Sequence, residues 1–271
     1  MGRYKLLVVA TKFWRPGENY VEEIIESVDG KIVDGDLIVI SEKAISTASN
    51  NIVDESNVAP RLSAEVIAKF WMRIGWGYFL GTLCHLRRTL VERLRQYPYD
   101  VGSRHKQLAL AHAGFLQALM FGSEGGIDGS NVAYSYVSLP LENASEIVQQ
   151  IRVRVWRELR KRVCIMIVDT DKTYSFRNFH FTPHPRPTKG IQSVGGIVSY
   201  IIGRALRLTK RATPLAVAGC AMSAEDALEI AEAANRVRGS GAGRTVWDMA
   251  ERFDVKLTDV SWEMLETVKH K

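Results

Sequence analysis

Cysteine is scarce in this chain: Cys84, Cys164 and Cys220 are its three among 271 residues. They are far apart, odd in number and mostly embedded in apolar stretches. Neither a disulfide framework nor a zinc site with paired ligand spacing is indicated, and reduced core thiols are expected. Long hydrophobic runs are missing as well. No uninterrupted apolar stretch reaches membrane-spanning length, and Leu6–Ala10 is too short for a signal-peptide core, so a cytoplasmic protein without membrane contact is expected. The sequence shows no internal repeat and no low-complexity segment. Hydrophobic residues at 46% and charged residues at 24% argue against disorder. The length suffices for one large domain or two intimately packed ones. The 36 basic residues exceed the 30 acidic ones by six. That favours an anionic partner, and both nucleotides and nucleic acids qualify.

Two stretches carry candidate chemistry. Gly125-Gly126-Ile127-Asp128-Gly129-Ser130-Asn131 follows an apolar run from Ala109 to Phe121 and reads as a loop at a strand end. Its glycines let the backbone approach a ligand, and Asp128, Ser130 and Asn131 offer an anion, a hydroxyl and an amide side by side. Such hard oxygen donors suit Mg2+ or Mn2+ carrying a phosphate. A polar turn of the same composition is the alternative. The second stretch, Val163–Val168, is a buried-strand pattern that ends in Asp169-Thr170-Asp171. Asp169 with the Thr170 hydroxyl could complete a divalent-metal site begun by Asp128.

Along the rest of the chain, Tyr4–Ala10 reads as a first strand, Val21, Ile24, Ile25 and Val28 share one helix face, and Leu37–Ile40 forms a strand with Ser41 and Lys43 at its far end. Lys12 and Arg15 stand before that first helix, where a phosphate could lie. Ser63 to about Arg95 is helical in period, with Ser63 as its cap, and its aromatic residues suit a core or dimer interface better than base stacking. His85 and His105 are isolated from each other and from any acidic cluster. Asn143 and Glu146 form a capping-box pattern for a helix that carries Ile147, Ile151, Val155 and Leu159 inward and four arginines outward. Those arginines suit a solvated face or a nucleic-acid contact. His180–Gly190 reads as a Pro-rich loop, more plausibly a lid than a histidine metal site. Ser223 and Asp226 frame a further helix, Gly239–Gly243 looks like a flexible joint, and two short helices follow, around Val246–Phe253 and after Ser261.

Three segments resemble, in order, the GTP-dependent gamma-glutamyl ligases that add glutamate to the deazaflavin coenzyme F-420. They are Gly35–Ser46, Gly126-Ile127-Asp128 with Ser130-Asn131-Val132, and Val163 through Asp169-Thr170, with Leu139-Pro140 at the family's Leu-Pro pair. The resemblance runs loosely to about Gly219. It implies an α+β fold of mixed sheets and packed helices, with a core over 1–219, an intertwined homodimer, and a helical tail over 220–271 outside the match. It further implies an acyl-phosphate amide ligase using GTP, with Asp128 and Asp169 catalytic. Asp128, Asp169 and Thr170 would hold Mg2+ or Mn2+, and Lys43 and Asn131 would lie at the nucleotide. The substrate would be an acidic small molecule. There are departures: Asp171-Lys172 replaces a Gly-Arg pair, and the basic loop Arg207–Thr213 replaces an acidic one. Lys210 and Arg211 could there meet the nucleotide phosphates in place of a second ion. These departures leave open a different acceptor or amino acid, or a non-catalytic protein that binds nucleotide or RNA.

Overall fold

The computed structural model describes residues 4–122 and 124–270. In chain order the elements are α1 (Tyr20–Val28), β1 (Leu37–Ser41), α2 (Glu42–Ala48), β2 (Ile52–Asp54), α3 (Leu62–Val66), a π-helix (Ile67–Leu80), α4 (Gly81–Leu83), α5 (Arg88–Arg95), α6 (Tyr99–His112) and α7 (Phe115–Ala118). They continue with β3 (Tyr136–Ser138), α8 (Ala144–Leu159), β4 (Cys164–Phe176), β5 (Phe179–Thr182), β6 (Gln192–Ser193), α9 (Ile197–Ala205), β7 (Thr209–Ala218), α10 (Ala224–Arg238), α11 (Val246–Phe253) and α12 (Trp262–Glu266). The chain divides into two compact units, one of residues 1–52, 129–169 and 214–271, the other of 53–128 and 170–213. This is the mixed α+β architecture anticipated above.

In the first unit β1 runs parallel to the start of β4, from Leu37 opposite Cys164 to Ser41 opposite Val168. Helices cover this pair because its side chains are apolar on both faces, the pattern of a parallel sheet closed to water. Ile147, Ile151 and Val155 recur every four residues along α8, so one stripe packs with Ile24 and Ile25 of α1 and with Ile165 and Ile167 of β4. The C-terminal helices build a second core from Phe13, Met249, Val260, Leu265 and Val268. Ser223 caps α10 by accepting the Asp226 amide at 3.1 Å, as its sequence position foretold.

In the second unit the end of β4 turns back into antiparallel β5, pairing Tyr174 with Phe181 and Phe176 with Phe179. Around them pack α9 and the π-helix. Trp76 is wholly buried and meets Tyr200 edge-on at 5.5 Å, and Tyr200 in turn meets Tyr174 at 6.4 Å. Cutting Trp76 back to alanine would cost about 3–5 kcal/mol.

Several expectations are corrected. Tyr4–Ala10 forms no strand and is largely exposed: β-propensity alone does not make a strand where no partner edge is paired with it. The 109–121 run is helical over 109–112 and 115–118, in α6 and α7, and forms no strand before the glycine loop. Short apolar runs do not by themselves distinguish helix from strand. β4 does not end at Asp169 but continues to Phe176, and the 209–213 part of the supposed basic loop belongs to β7. His180–Thr182 likewise lies in β5. Arg61, not Ser63, caps α3, and the turn that follows widens to a π-helix, which moves the buried row to Ile67, Met72 and Trp76 and leaves Phe70 and Ile74 exposed. Asn143 caps α8 without a side-chain hydrogen bond, so the capping box is not formed. Cys164 and Cys220 form a disulfide with Cα atoms 5.6 Å apart, because β7 pairs with β4 and brings the two strand ends together. Cys84 is reduced and buried, its thiol pushed up to about 11 by loss of solvent.

Candidate active site

In the first unit the parallel pairing stops at Ser41 and Val168, so the next residues, Glu42 just past the end of β1 and Asp169 partway along β4, emerge together where the two strands part. Both side chains are buried, at 3% and 8% exposure, and their carboxylate oxygens come within 4.8 Å of each other. Two like charges at that separation repel by roughly 3–4 kcal/mol at an effective dielectric near 20. A divalent cation with oxygen ligands would reverse the sign of that interaction, and the donor set suits Mg2+ or Mn2+. The Leu141 amide donates to Glu42 Oε1 at 2.8 Å, which orients this carboxylate.

Lys43, the next residue, donates from Nζ to the Ser130 carbonyl at 2.9 Å and to Ser130 Oγ at 2.7 Å. It thereby ties the Ser130-Asn131 part of the glycine-rich stretch to α2. Asn131 sits in the left-handed region at φ 58° and spends its amide on the chain's C-terminal part. Nδ2 donates to the Gly243 carbonyl at 2.9 Å, and Oδ1 accepts the Ala242 amide at 2.6 Å. A Cβ at Gly241 would lie 2.3 Å from Oδ1, so only glycine admits this clamp. The stretch that looked like a flexible joint is pinned.

Lys12 is paired with Glu18 and Glu23, and Arg15 with Glu263 and Glu266, so both cations before α1 serve ion pairs.

The second unit carries Asp128, Thr170, Lys210 and Arg211. Asp128 and Thr170 are half-buried, Lys210 is exposed, and Arg211 donates from Nη2 to Ser175 Oγ at 2.9 Å. Nearby, Thr213 Oγ1 donates to the Asp171 carbonyl at 2.7 Å and meets Thr173 Oγ1 at 2.9 Å. Of the two histidines in the Pro-rich segment, His180 Nδ1 meets Ser175 Oγ at 2.9 Å and His184 Nδ1 accepts the Arg186 amide at 3.2 Å.

The segment that leads to Asp128 is fastened at Leu119, Met120 and Glu124. The Leu119 carbonyl accepts both the Trp71 and Trp76 indole N–H groups at 2.8 Å, and the Met120 carbonyl accepts Lys106 Nζ at 2.7 Å. Glu124 then pairs with buried Lys106 on one side and with His105 Nε2 at 2.7 Å on the other, while His105 Nδ1 contacts Glu55 at 2.5 Å. Burial alone would lower the His105 pKa, but the charges of Glu124 and Glu55 and their hydrogen bonds outweigh it and hold it well above the ordinary value. Burial lowers Lys106 on balance against Glu124. Burial would raise Glu124, yet His105 and Lys106 carry it below the carboxylate range. His105 is therefore not isolated from acidic groups, as its sequence surroundings had suggested.

The model of the family described as F420-0:Gamma-glutamyl ligase matches residues 9–245. The chain belongs to that family. An uncharacterized protein of Methanocaldococcus jannaschii is 34% identical over 219 residues, which cover 78% of this chain and 75% of the relative.

For a member of the gamma-glutamyl ligase family, sequence reasoning missed two carboxylates. Glu42 had a signal, since it directly follows the strand whose end was already placed beside Lys43. Glu124 had none, because its partners Lys106 and His105 lie 18 and 19 residues back on α6 and only the packing of that helix unites them. No helix among the described residues is long and apolar enough to cross a membrane.

Proposed function

We propose that this chain is a cytoplasmic, nucleotide-dependent amide ligase that adds L-glutamate to a coenzyme F-420 precursor, with GTP as phosphoryl donor. A carboxylate is a poor electrophile. Its oxygen would attack the γ-phosphorus and GDP would leave; the glutamate amine would then attack the acyl carbon, losing a proton as phosphate departs. The observation that carries the reading is the buried Glu42 and Asp169 pair where the parallel pairing of β1 and β4 ends. A divalent ion held there would withdraw charge from phosphate oxygens. Lys43, already positioned by Ser130, would present its ammonium to the triphosphate. Asp128 and Thr170 keep the metal-binding role that the resemblance assigns, each to be tested by its own variant.

The test is phosphate and GDP release with GTP or ATP, Mg2+ or Mn2+, glutamate and a panel of acidic acceptors. Turnover that needs both glutamate and the F-420 precursor supports the reading. Turnover with another acceptor moves the chain to a different amide ligation, and binding without turnover under every combination makes it a nucleotide-binding protein. Glu42→Gln and Asp169→Asn should each lower turnover by at least about a hundredfold while keeping the circular dichroism of the parent, given that one electrostatic group of this kind is worth 10²–10³.

The homodimer is part of the same proposal. Leu62, Val66, Phe70, Ile74 and Tyr78 recur every four residues and are all exposed, a row of the kind that monomers rarely leave open. Sedimentation should give a dimer for the parent and a monomer for Phe70→Asp/Ile74→Asp.

A further inference from the structure

At the far end of the same parallel strands, the first unit has a cavity of about 610 Å3 lined by Arg152, Trp156, Lys161, Arg162 and the disulfide-bonded Cys164 and Cys220. Cys164 opens β4, five residues before Asp169, so the cavity lies about 16 Å along the strand from the carboxylate pair. The cavity and the candidate active site are separate places.

Its walls are placed by specific packing. Gly219 adopts φ 93°, and a Cβ there would come within 2.5 Å of the Val163 carbonyl and 3.0 Å of both Cδ and Nε of Arg152. Glycine at this turn is what lets the Arg152 side chain lie across it. The Arg162 guanidinium sits over the Trp156 ring at 5.4 Å, and the Arg162 amide donates to Asp34 at 2.7 Å, which fixes the backbone of the basic turn. No carboxylate is among the described residues that line the cavity. Cys164 is buried at 9% exposure, whereas Cys220 is exposed, so a nucleophile arriving from solvent meets the Cys220 sulfur first.

We propose that this pocket admits a small thiol bearing anionic groups and exchanges it with the Cys164–Cys220 disulfide at Cys220. The incoming thiolate attacks Cys220 Sγ and forms the new S–S bond. The Cys164–Cys220 bond breaks, its electron pair leaves on Cys164 Sγ, and that sulfur takes a proton from solvent. A second thiolate can then attack the sulfur of the bound thiol, releasing the small-molecule disulfide and leaving Cys220 reduced; two thiols are oxidised to one disulfide as the protein disulfide becomes two thiols. The cations act twice. They concentrate an anionic thiol at the mouth, an effect worth tenfold or more in association rate, and they stabilise the thiolate that departs on Cys164. This inference stands apart from the ligase reading, since it involves none of that site's residues.

The experiment treats the oxidised full-length protein with glutathione and with cysteamine at equal thiolate concentration and follows the mixed disulfide by peptide mass spectrometry. The expected result is an adduct on Cys220 that forms at least about tenfold faster with glutathione. That preference should collapse in high salt and in Arg152→Ser/Lys161→Ser/Arg162→Ser, three surface substitutions. Equal rates for the two thiols, an unchanged preference in the triple variant, or an adduct on Cys164 would each overturn it. A parent in which Cys164 and Cys220 are both reduced after oxidative purification would overturn it as well. Should the triple variant fold poorly, Cys164→Ser gives a second reading. Its Cys220 thiol should react with glutathione disulfide faster than with cystamine in a salt-sensitive way, and charge-blind reaction would refute the pocket.

Discussion

Replacing Glu124 with glutamine removes the anion between the buried Lys106 and the half-buried His105. Lys106 is 0% exposed and would retain the Met120 carbonyl, while His105 would retain only Glu55 of its two carboxylates. Breaking one side of a buried ion pair costs about 3–5 kcal/mol, because the remaining charge stays out of water without a counter-charge. In a chain of this size that lowers the melting midpoint by about 10 °C. Urea unfolding of the parent, Glu124→Gln, Lys106→Met and the double variant measures it. The double variant should recover at least about 2 kcal/mol of the summed losses, since neither buried charge is then left alone. pH separates the members. The His105 contribution is complete below the ordinary histidine value and is lost as pH rises through its raised folded value. The Glu124 contribution is present above the ordinary carboxylate range and is lost as pH falls through its lowered one. Lys106 works in the opposite sense: its lowered value is a cost at neutral pH that is relieved as pH rises through it. Glu124→Gln should therefore flatten both limbs of the stability profile. A loss below about 1 kcal/mol, or strictly additive single variants, would refute the assignment of this cluster as one coupled network.

Asp128→Ala should abolish metal-dependent nucleotide binding, read by titration calorimetry with Mn2+, while near-native urea stability persists, because a half-buried loop carboxylate contributes little to the core; retained binding would remove it from the metal set. Charge removal at Lys210 and Arg211 should weaken triphosphate binding much more than diphosphate binding, with strong salt dependence, and equal effects on both nucleotides would place these residues outside the site. Asn131→Ala strips partners from the Gly243 carbonyl and the Ala242 amide and should cost about 2 kcal/mol, visible as faster hydrogen exchange over residues 239–253; unchanged exchange there would show that the clamp does not hold this segment.

Local pattern was enough where a structural decision is itself local. The four-residue stripe of α8, the Ser223 cap of α10, the helices at Val246–Phe253 and after Ser261, and the strand leading to Ser41 all follow from periodicity and hydrogen bonding within a few residues. So did membership of the ligase family, because its motifs are short and contiguous. What the chain's tertiary structure decided depends on partners remote in sequence. Apolar Tyr4–Ala10 needed a paired edge to become a strand and is not in one, whereas β4 could run on past Asp169 because β5 and β7 pair with it. Cys164 and Cys220 are 56 residues apart and meet only because two strand ends coincide. Glu42 faces Asp169 only because β1 and β4 are parallel and in that register. A slip of one strand by one residue would turn its residues to the opposite face relative to the other strand and separate the two carboxylates, and nothing within either segment by itself specifies the register of the pair.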